Sequence, residues 1–316
     1  MTQSLSQPKS NPINHLKGRV IYQVARRGVA KFIGREEHIA ALDVALDSTP
    51  RIAVLQGVGG QGKTQIALEY CRRCRITKKY KAILWANASS EQSLRDSFEA
   101  FSDFLKNPDD GLVDSESRVR CTKQVLADWS EPWLLVFDNF DDPSKFAIGD
   151  YIPSSVQGHI IITTRAADVK VLGNGIPVAG MTDEEALHLL MASGNLEKAD
   201  EINITEGLKI TKRLGNMPLA IDLAGAYLAR RAGLVRIQDF LTRYDAQAEA
   251  ILQVTPGVSE YANDLRQNET SVFATWEMTV RLLDPDTELG AQKIAFLNIL
   301  GFFNYEDISE DLFRTY

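Results

Sequence analysis

Eight consecutive residues, Gly57-Val58-Gly59-Gly60-Gln61-Gly62-Lys63-Thr64, follow directly on the apolar run Ile52-Ala53-Val54-Leu55. Residues of these types in this order suit the binding of a phosphate chain. Glycines let the backbone turn tightly, with positive φ where needed and no Cβ in the way, so that successive N–H groups point at an anion. A helix starting near Gly62 would add its unpaired N–H groups and the positive end of its dipole. Lys63 then supplies a cation for the β- and γ-phosphates, and the Thr64 hydroxyl a ligand for Mg²⁺. A glycine-rich turn could match the bare pattern by chance, but the motif also demands a strand before and a helix after. Both are legible: Gln65 to Tyr70 are good helix formers, with Ile66, Ala67 and Tyr70 spaced to lie on one face. These residues imply a site for ATP or ADP with Mg²⁺.

Such a site needs an acidic residue at the end of a buried strand to hold the metal's coordination shell, and Leu134-Leu135-Val136-Phe137-Asp138 supplies it. An apolar run ending in Asp is common in α/β proteins; the loop upstream makes Asp138 the metal candidate beside Thr64. The next residue is Asn139, where a hydrolytic enzyme would place a second carboxylate to activate water, and an amide cannot take that proton. Asp141 and Asp142 could substitute, or could form a solvated acidic loop. The run Ile160-Ile161-Ile162-Thr163 leads into Thr164-Arg165. Ligands bind at the carboxyl ends of strands in open parallel sheets, so Arg165 is placed to sense a γ-phosphate, its alternative being a surface Arg at a strand end. Gly215-Asn216-Met217-Pro218-Leu219-Ala220 interrupts two helical patterns, with Gly ending the first and Pro218 in the first turn of the second. By itself this is a helix–helix connector.

The elements that would position these residues alternate. Candidate strands lie at 52–56, 82–86, 133–137, 159–163 and, weakly, 176–178, with helical patterns at 63–75, 90–105 and 115–129. A short helix carrying Ile39, Leu42 and Leu46 precedes the first strand. Near-continuous apolar strands with helices between them predict an α/β domain with a parallel sheet covered on both faces. Ser89 with Gln92 is a candidate capping box. After Val178 the pattern becomes helical: 182–191, 205–214, 219–230 and 237–244 read as helices with no good strand between them, and Thr182 with Glu185 makes a further capping box. Pro256-Gly257 punctuates a boundary, beyond which two amphipathic stretches run over 271–283 and 288–300. The expected division is a flexible leader over 1–30, a nucleotide-binding domain over 31–179, a helical domain over 180–256 and a further segment over 257–316.

Composition bounds the function classes. The 316 residues exceed a single domain's usual length, and 44% hydrophobic with 24% charged residues is ordinary for a soluble globular protein. A net charge of −7 without a dense Lys/Arg block argues against a general nucleic-acid binder. The Arg230-Arg231 and Lys78-Lys79 pairs read as solvated helix ends. No apolar run approaches a membrane span, and the polar N-terminus lacks the pattern of a secretion signal, which predicts a cytoplasmic protein. Cys71, Cys74 and Cys121 form no disulfide framework, and Cys71-x-x-Cys74 falls inside the helix after the phosphate loop, where packing is the simpler reading than metal or redox use.

Phe32-Ile33-Gly34-Arg35-Glu36, the Gly57–Thr64 loop, Leu134–Asp138, Thr163-Thr164-Arg165 and Gly215-Asn216-Met217-Pro218-Leu219 occur in the order and spacing of the NB-ARC module, which the chain resembles over about residues 30–316. That module is the switch of apoptosome scaffolds and nucleotide-binding immune receptors. The loop is shared by many NTPases; the Gly-x-x-Pro-Leu connector together with Thr-Thr-Arg is far more specific. The resemblance implies an ASCE-type P-loop sheet, with the Thr163-Thr164-Arg165 strand inserted between the phosphate-loop strand and the Asp138 strand. It implies that Pro218 and Leu219 line the adenine and that Phe32, Ile33 and Arg35 approach the base from the other side. It also implies that 257–316 opens a winged-helix domain, including Phe296-Leu297-Asn298-Ile299-Leu300, which stops before the family's His-containing motif. Effector and sensor regions, unknown here, would lie outside this chain.

Three functions follow in order. A STAND-class switch would be closed by ADP and opened by ATP to self-associate through this module in immune-like or cell-death signalling. An AAA+-type ATPase would turn over steadily and needs a competent base, which Asn139 argues against. A scaffold would hold ADP as a structural cofactor.

Overall fold

The computed structural model describes residues 31–106, 114–197, 200–254 and 287–300, together with 16, 18–24, 28, 29, 275, 278 and 280. The chain divides into two compact units, Met1–Ala179 and Gly180–Tyr316.

The first unit is built on six parallel strands: β1 (Ile21–Gln23), β2 (Ile52–Gln56), β3 (Ala82–Asn87), β4 (Trp133–Asp138), β5 (Gly158–Thr164) and β6 (Asn174–Pro177). Their order across the sheet is β1-β3-β4-β5-β2-β6, so β5 lies between the phosphate-loop strand and the Asp138 strand, as in an ASCE P-loop sheet. Helices α1 (Glu36–Asp47), α2 (Lys63–Thr77), α3 (Glu91–Leu105) and α4 (Ser115–Asp128) connect or precede the strands. Alternation along each strand divides the core in two. Leu134 and Val136 of β4 join Ala53, Leu55 and Ile161 against Leu42 and Leu46 of α1 and Ile66, Ala67 and Tyr70 of α2. Leu135 and Phe137 join Val54, Ile160 and Ile162 against Leu94, Phe98 and Phe101 of α3 and Leu126 of α4. Both faces of the central strands are therefore apolar, which is why these strands read as continuous hydrophobic runs. At Gly158 a Cβ would lie 2.3 Å from the Trp133 ring, whose indole N–H donates to the Leu126 carbonyl at 2.9 Å.

Three expectations need correction. Residues 21–23, read as part of a leader, are the edge strand β1, paired in parallel with Ala82–Leu84. A three-residue strand with only Ile21 fully buried carries too little alternation to be seen in sequence. The cap of α3 is Ser90, whose Oγ accepts from the Ser93 N–H at 3.1 Å, while Gln92 donates to Asp96 instead of closing a box on Ser89. Strand β6 runs over 174–177, two residues earlier at its start than expected.

In the second unit, α5 (Asp183–Gly194), α6 (Glu201–Arg213), α7 (Pro218–Arg230) and α8 (Phe240–Val254) are followed, among the described residues, by α9 (Glu288–Leu300). The Thr182–Glu185 capping box closes α5 in both directions, at 3.2 and 3.0 Å. Helices α5 and α7 approach closely at Gly225, where a Cβ would come within 2.5 Å of Ser193 Cβ and 2.9 Å of the Gly194 nitrogen. The Pro256-Gly257 boundary and most of 271–283 lie outside the described residues, as do 1–15 of the leader and the chain beyond 300. No helix among the described residues is long and apolar enough to cross a membrane.

Candidate nucleotide site

The loop from Gly57 to Gly62 joins β2 to α2, and Gly62, at φ 85°, is the residue that caps the helix. Gly60 is also left-handed, at φ 81°. The four glycines of the loop separate by cause. Gly57 is required by packing: a Cβ there would lie 2.2 Å from the Val178 carbonyl oxygen. Gly60 and Gly62 are required by backbone conformation. Gly59 and Gly62 both face open space, with no atom within 4 Å of where a Cβ would stand. That open face at the N-terminus of a fifteen-residue helix fits a phosphate chain. Val58 and Gly59 need no side-chain partner there, since backbone N–H groups do the binding in such a loop.

Lys63 is the first residue of α2, and its ammonium donates to the carbonyls of Gly57 at 2.7 Å and Val58 at 3.0 Å. The cation therefore stands at the rim of its own loop. Burial pushes its pKa below the ordinary lysine range; Asp141 pushes back most strongly, Arg165 adds to the lowering, and Asp138 opposes it. Thr64 Oγ1 donates to Asp138 Oδ1 at 2.8 Å, and Thr163 Oγ1 donates to the same oxygen at 2.6 Å. Register explains the convergence: Phe137 pairs with Ile162, so Asp138 ends β4 level with Thr163 on β5. Asp138 is 1% exposed. An oxygen-only set of a hydroxyl and a carboxylate is the donor chemistry that suits Mg²⁺.

Asn139 turns the chain away from β4 in the left-handed region, at φ 65°, and its N–H donates to Thr163 Oγ1 at 2.9 Å. Asp141 and Asp142, undecided from sequence, part company. Asp142 accepts from the Ser144 N–H and hydroxyl and pairs with Lys145, so it serves its own turn. Asp141 reaches across to Arg165, at 2.7 Å to Nε. Arg165 follows the end of β5 and is 60% exposed along its side chain. Sequence reasoning missed this pair because the two residues are 24 apart in the chain and meet only through the β4–β5 register.

Arg35 is buried and left-handed, at φ 63°, and its guanidinium donates to the carbonyls of Gln61 at 3.3 Å and Ala179 at 2.7 Å. It thus ties the phosphate loop to the last residue of the first unit. Gln61 is buried, and its Oε1 has no hydrogen-bond partner among the described residues. Gln65 Oε1 accepts from the Val29 N–H at 2.9 Å, which secures the segment before α1 to α2. Ile33 is buried, and Phe32 is half-buried against the core shared by α1 and α2.

Pro218 and Leu219 belong to the second unit. Pro218 is the first residue of α7, where its missing N–H costs nothing, and Leu219 is 44% exposed. Gly215 and Asn216 are both left-handed and end α6, and the Asn216 side chain donates to Asp183 at 2.8 Å while the Asn216 backbone carbonyl accepts from the Met181 N–H. The connector is therefore fixed to the N-terminus of α5. Cys71 and Cys74 lie buried in α2, and burial raises both thiols, Cys74 to about 11. Among the described residues no group of three or more His, Cys, Asp or Glu is arranged to hold a metal.

The chain is similar to known proteins. The chain is 27% identical over 302 residues to a nucleotide-binding leucine-rich repeat (NLR)-like protein of Hyaloscypha variabilis, covering 86% of this chain and 30% of that protein. It is 24% identical over 255 residues to a putative disease resistance RPP13-like protein 3 of Arabidopsis thaliana, covering 72% and 29%. The chain thus spans less than a third of the length of these curated relatives. Among solved structures, a Signal Transduction ATPase with Numerous Domains (STAND) protein with a tetratricopeptide repeat sensor from Pyrococcus horikoshii is similar at 16% identity and a TM-score of 0.45, over 84% of this chain and 47% of that one. The profile of the NB-ARC domain matches residues 35–200, more than half of the sequence, and the chain belongs to the NB-ARC family of P-loop NTPases.

Proposed function

We propose that this chain is the ADP/ATP-operated switch of a larger STAND-class protein, and that nucleotide exchange controls its self-association in immune-like or cell-death signalling. The observation that carries the reading is the convergence on Asp138 Oδ1 of Thr64 from the phosphate loop and Thr163 from β5, beside an Asn139 that cannot serve as a base. Thr64 and Asp138 would hold Mg²⁺, which would neutralise phosphate charge. The backbone N–H groups of Gly59 to Gly62 and the α2 terminus would take the diphosphate, with Lys63 turning from its own loop's carbonyls towards the β- and γ-phosphates. Arg165 would meet the γ-phosphate. Phe32 and Ile33 would contribute apolar surface for the base, as the family resemblance implies, while Arg35 holds the loop at the Gln61 carbonyl. A switch of this kind depends on the two nucleotides binding two conformations with different free energies, and slow hydrolysis serves it better than fast.

The test is nucleotide content and turnover. Acid extraction of purified protein followed by nucleotide chromatography should yield ADP, and added ATP should be hydrolysed far more slowly than the ~10 s⁻¹ of a dedicated enzyme. Folded protein without any nucleotide and without affinity for one sinks the reading; brisk turnover converts it into that of a working ATPase.

A further inference from the structure

Asp141 is fixed by more than its ion pair. The segment after β4 is laced to the end of β5: the Asn139 N–H donates to Thr163 Oγ1 at 2.9 Å, the Phe140 N–H donates to the Thr163 carbonyl at 2.9 Å, and Thr164 Oγ1 donates to the Phe140 carbonyl. Thr164 Oγ1 in turn accepts from the Ala166 N–H at 3.0 Å. Against this frame Asp141 grips one residue with both oxygens, Oδ1 accepting the backbone N–H of Arg165 and Oδ2 accepting its Nε–H, each at 2.7 Å. The carboxylate is 24% exposed, and the cation it touches directly is Arg165.

A guanidinium fork engages one planar or tetrahedral anion well, and a second anion competes for the same N–H groups. A like charge placed beside a bound anion adds repulsion. We propose that Asp141 is the specificity-determining residue of the site: its carboxylate stands on Arg165 in place of a terminal phosphate, so that the site favours a nucleoside diphosphate and a triphosphate must displace it. This rests on the nucleotide reading above. Asp141 is then occupied in holding Arg165 and is no substitute for the carboxylate missing at Asn139.

The experiment titrates the full chain, wild type and Asp141→Asn, with MgADP and MgATP against a fluorescent ADP analogue. Releasing one charge-assisted hydrogen bond of the guanidinium should tighten ATP binding about tenfold and leave ADP within about twofold. A lost fold would weaken both nucleotides, so the ATP/ADP ratio separates this role from a structural one. Asp141→Glu, which keeps the charge, should keep the wild-type ratio; Asp141→Ser, a second neutral replacement, must move the ratio as Asn does. In an Arg165→Gln background the gain from Asp141→Asn should shrink to less than about threefold, because the competition for the guanidinium is gone. An unchanged ratio, weaker ATP binding in Asp141→Asn, or the full tenfold gain without Arg165 overturns the proposal. Wild-type protein that binds neither nucleotide overturns the nucleotide reading itself, an outcome visible before any variant is made.

Discussion

Two glycines of the phosphate loop, two positions apart, should respond oppositely to the same methyl group. At Gly57 a Cβ would stand 2.2 Å from the Val178 carbonyl oxygen and 3.2 Å from its carbon, about 0.8 Å inside the 3.0 Å that real Cβ atoms essentially never undercut. The neighbour is backbone, and it is held: the Val178 N–H donates to the Gln56 carbonyl at 2.6 Å, and the Gly57 N–H donates to the Thr164 carbonyl at 3.2 Å. Gly57→Ala must therefore push the end of β6 away from β2, and overpacking against fixed backbone places the cost near the upper end of the usual range, about 3 kcal/mol. For a unit of this size that is a drop of about 6–12 °C in melting temperature. At Gly59 a Cβ would meet nothing within 4 Å, so Gly59→Ala should leave stability within about 0.5 kcal/mol. The same methyl would intrude where a phosphate is proposed to lie, so ADP affinity should fall in Gly59→Ala despite its intact fold. Fluorescence of the buried Trp85, Trp129 and Trp133, all in the first unit, reports unfolding in urea, and calorimetry reports ADP binding. Gly57→Ala melting with the wild type, or Gly59→Ala binding ADP as wild type does, would refute the division of roles between the two glycines.

Lys63→Ala removes the one side-chain cation within the loop and should weaken ADP binding by at least tenfold; equal affinities by calorimetry would show that the loop is not the site. Asn139→Asp should raise ATP turnover measurably, because the left-handed backbone at φ 65° tolerates Asp as well as Asn and the change would supply a base; unchanged single-turnover rates would count against the proposal that Asn139 keeps hydrolysis slow. Glu69 is buried between two arginines, and its hydrogen bond from Arg72, outweighing burial, lowers its pKa. A carboxylate with a depressed folded pKa contributes stability that is complete above its unfolded value, about 4.3, and is lost as pH falls through the lower folded value. Glu69→Gln should therefore flatten the acid limb of a stability-against-pH curve measured by urea unfolding, and an unchanged limb would place the acid sensitivity elsewhere.

The parts of this fold that sequence made visible are those in which one strand or helix carries its own signal. The Ile160–Ile162 and Leu134–Phe137 runs are apolar at every position because both faces of β4 and β5 are covered, and Thr182 with Glu185 states its cap within four residues. Three kinds of feature escaped. Strand β1 is too short to show a period and gains its place from pairing with β3. The reason for Gly57 lies in Val178, 121 residues away, and cannot be separated in sequence from the reasons for Gly60 and Gly62. The Asp141–Arg165 pair arises from register between β4 and β5; a run of acidic residues after a strand looks the same whether one of them crosses to a neighbouring strand or all face water. Arg35 belongs to the same class, since its partners Gln61 and Ala179 are distant in sequence and are backbone carbonyls, which no residue type announces.

The charges around the loop bear on how such a site would hold a polyanion. Lys63 and Arg165 are the cations assigned to the phosphates, and Asp138 and Asp141 the carboxylates beside them, so these four side chains bring no net positive charge, while the Arg35 guanidinium is turned onto the carbonyls of Gln61 and Ala179. Attraction for a phosphate chain would then come from elsewhere: from the N–H groups of the Gly59–Gly62 turn, from the positive end of α2, and from the divalent cation proposed at Thr64 and Asp138. Each of these acts at short range and in a fixed direction, unlike a cluster of lysines, whose field attracts any anion. The balance also explains why Asp141 carries weight. In a site with surplus positive charge one carboxylate would change little, whereas here it cancels one of the two side-chain cations and does so at the residue assigned to the third phosphate. A protein that must discriminate ATP from ADP, and not merely bind both tightly, is served by that arrangement, because a group that affects only the triphosphate changes the difference between the two affinities instead of their sum.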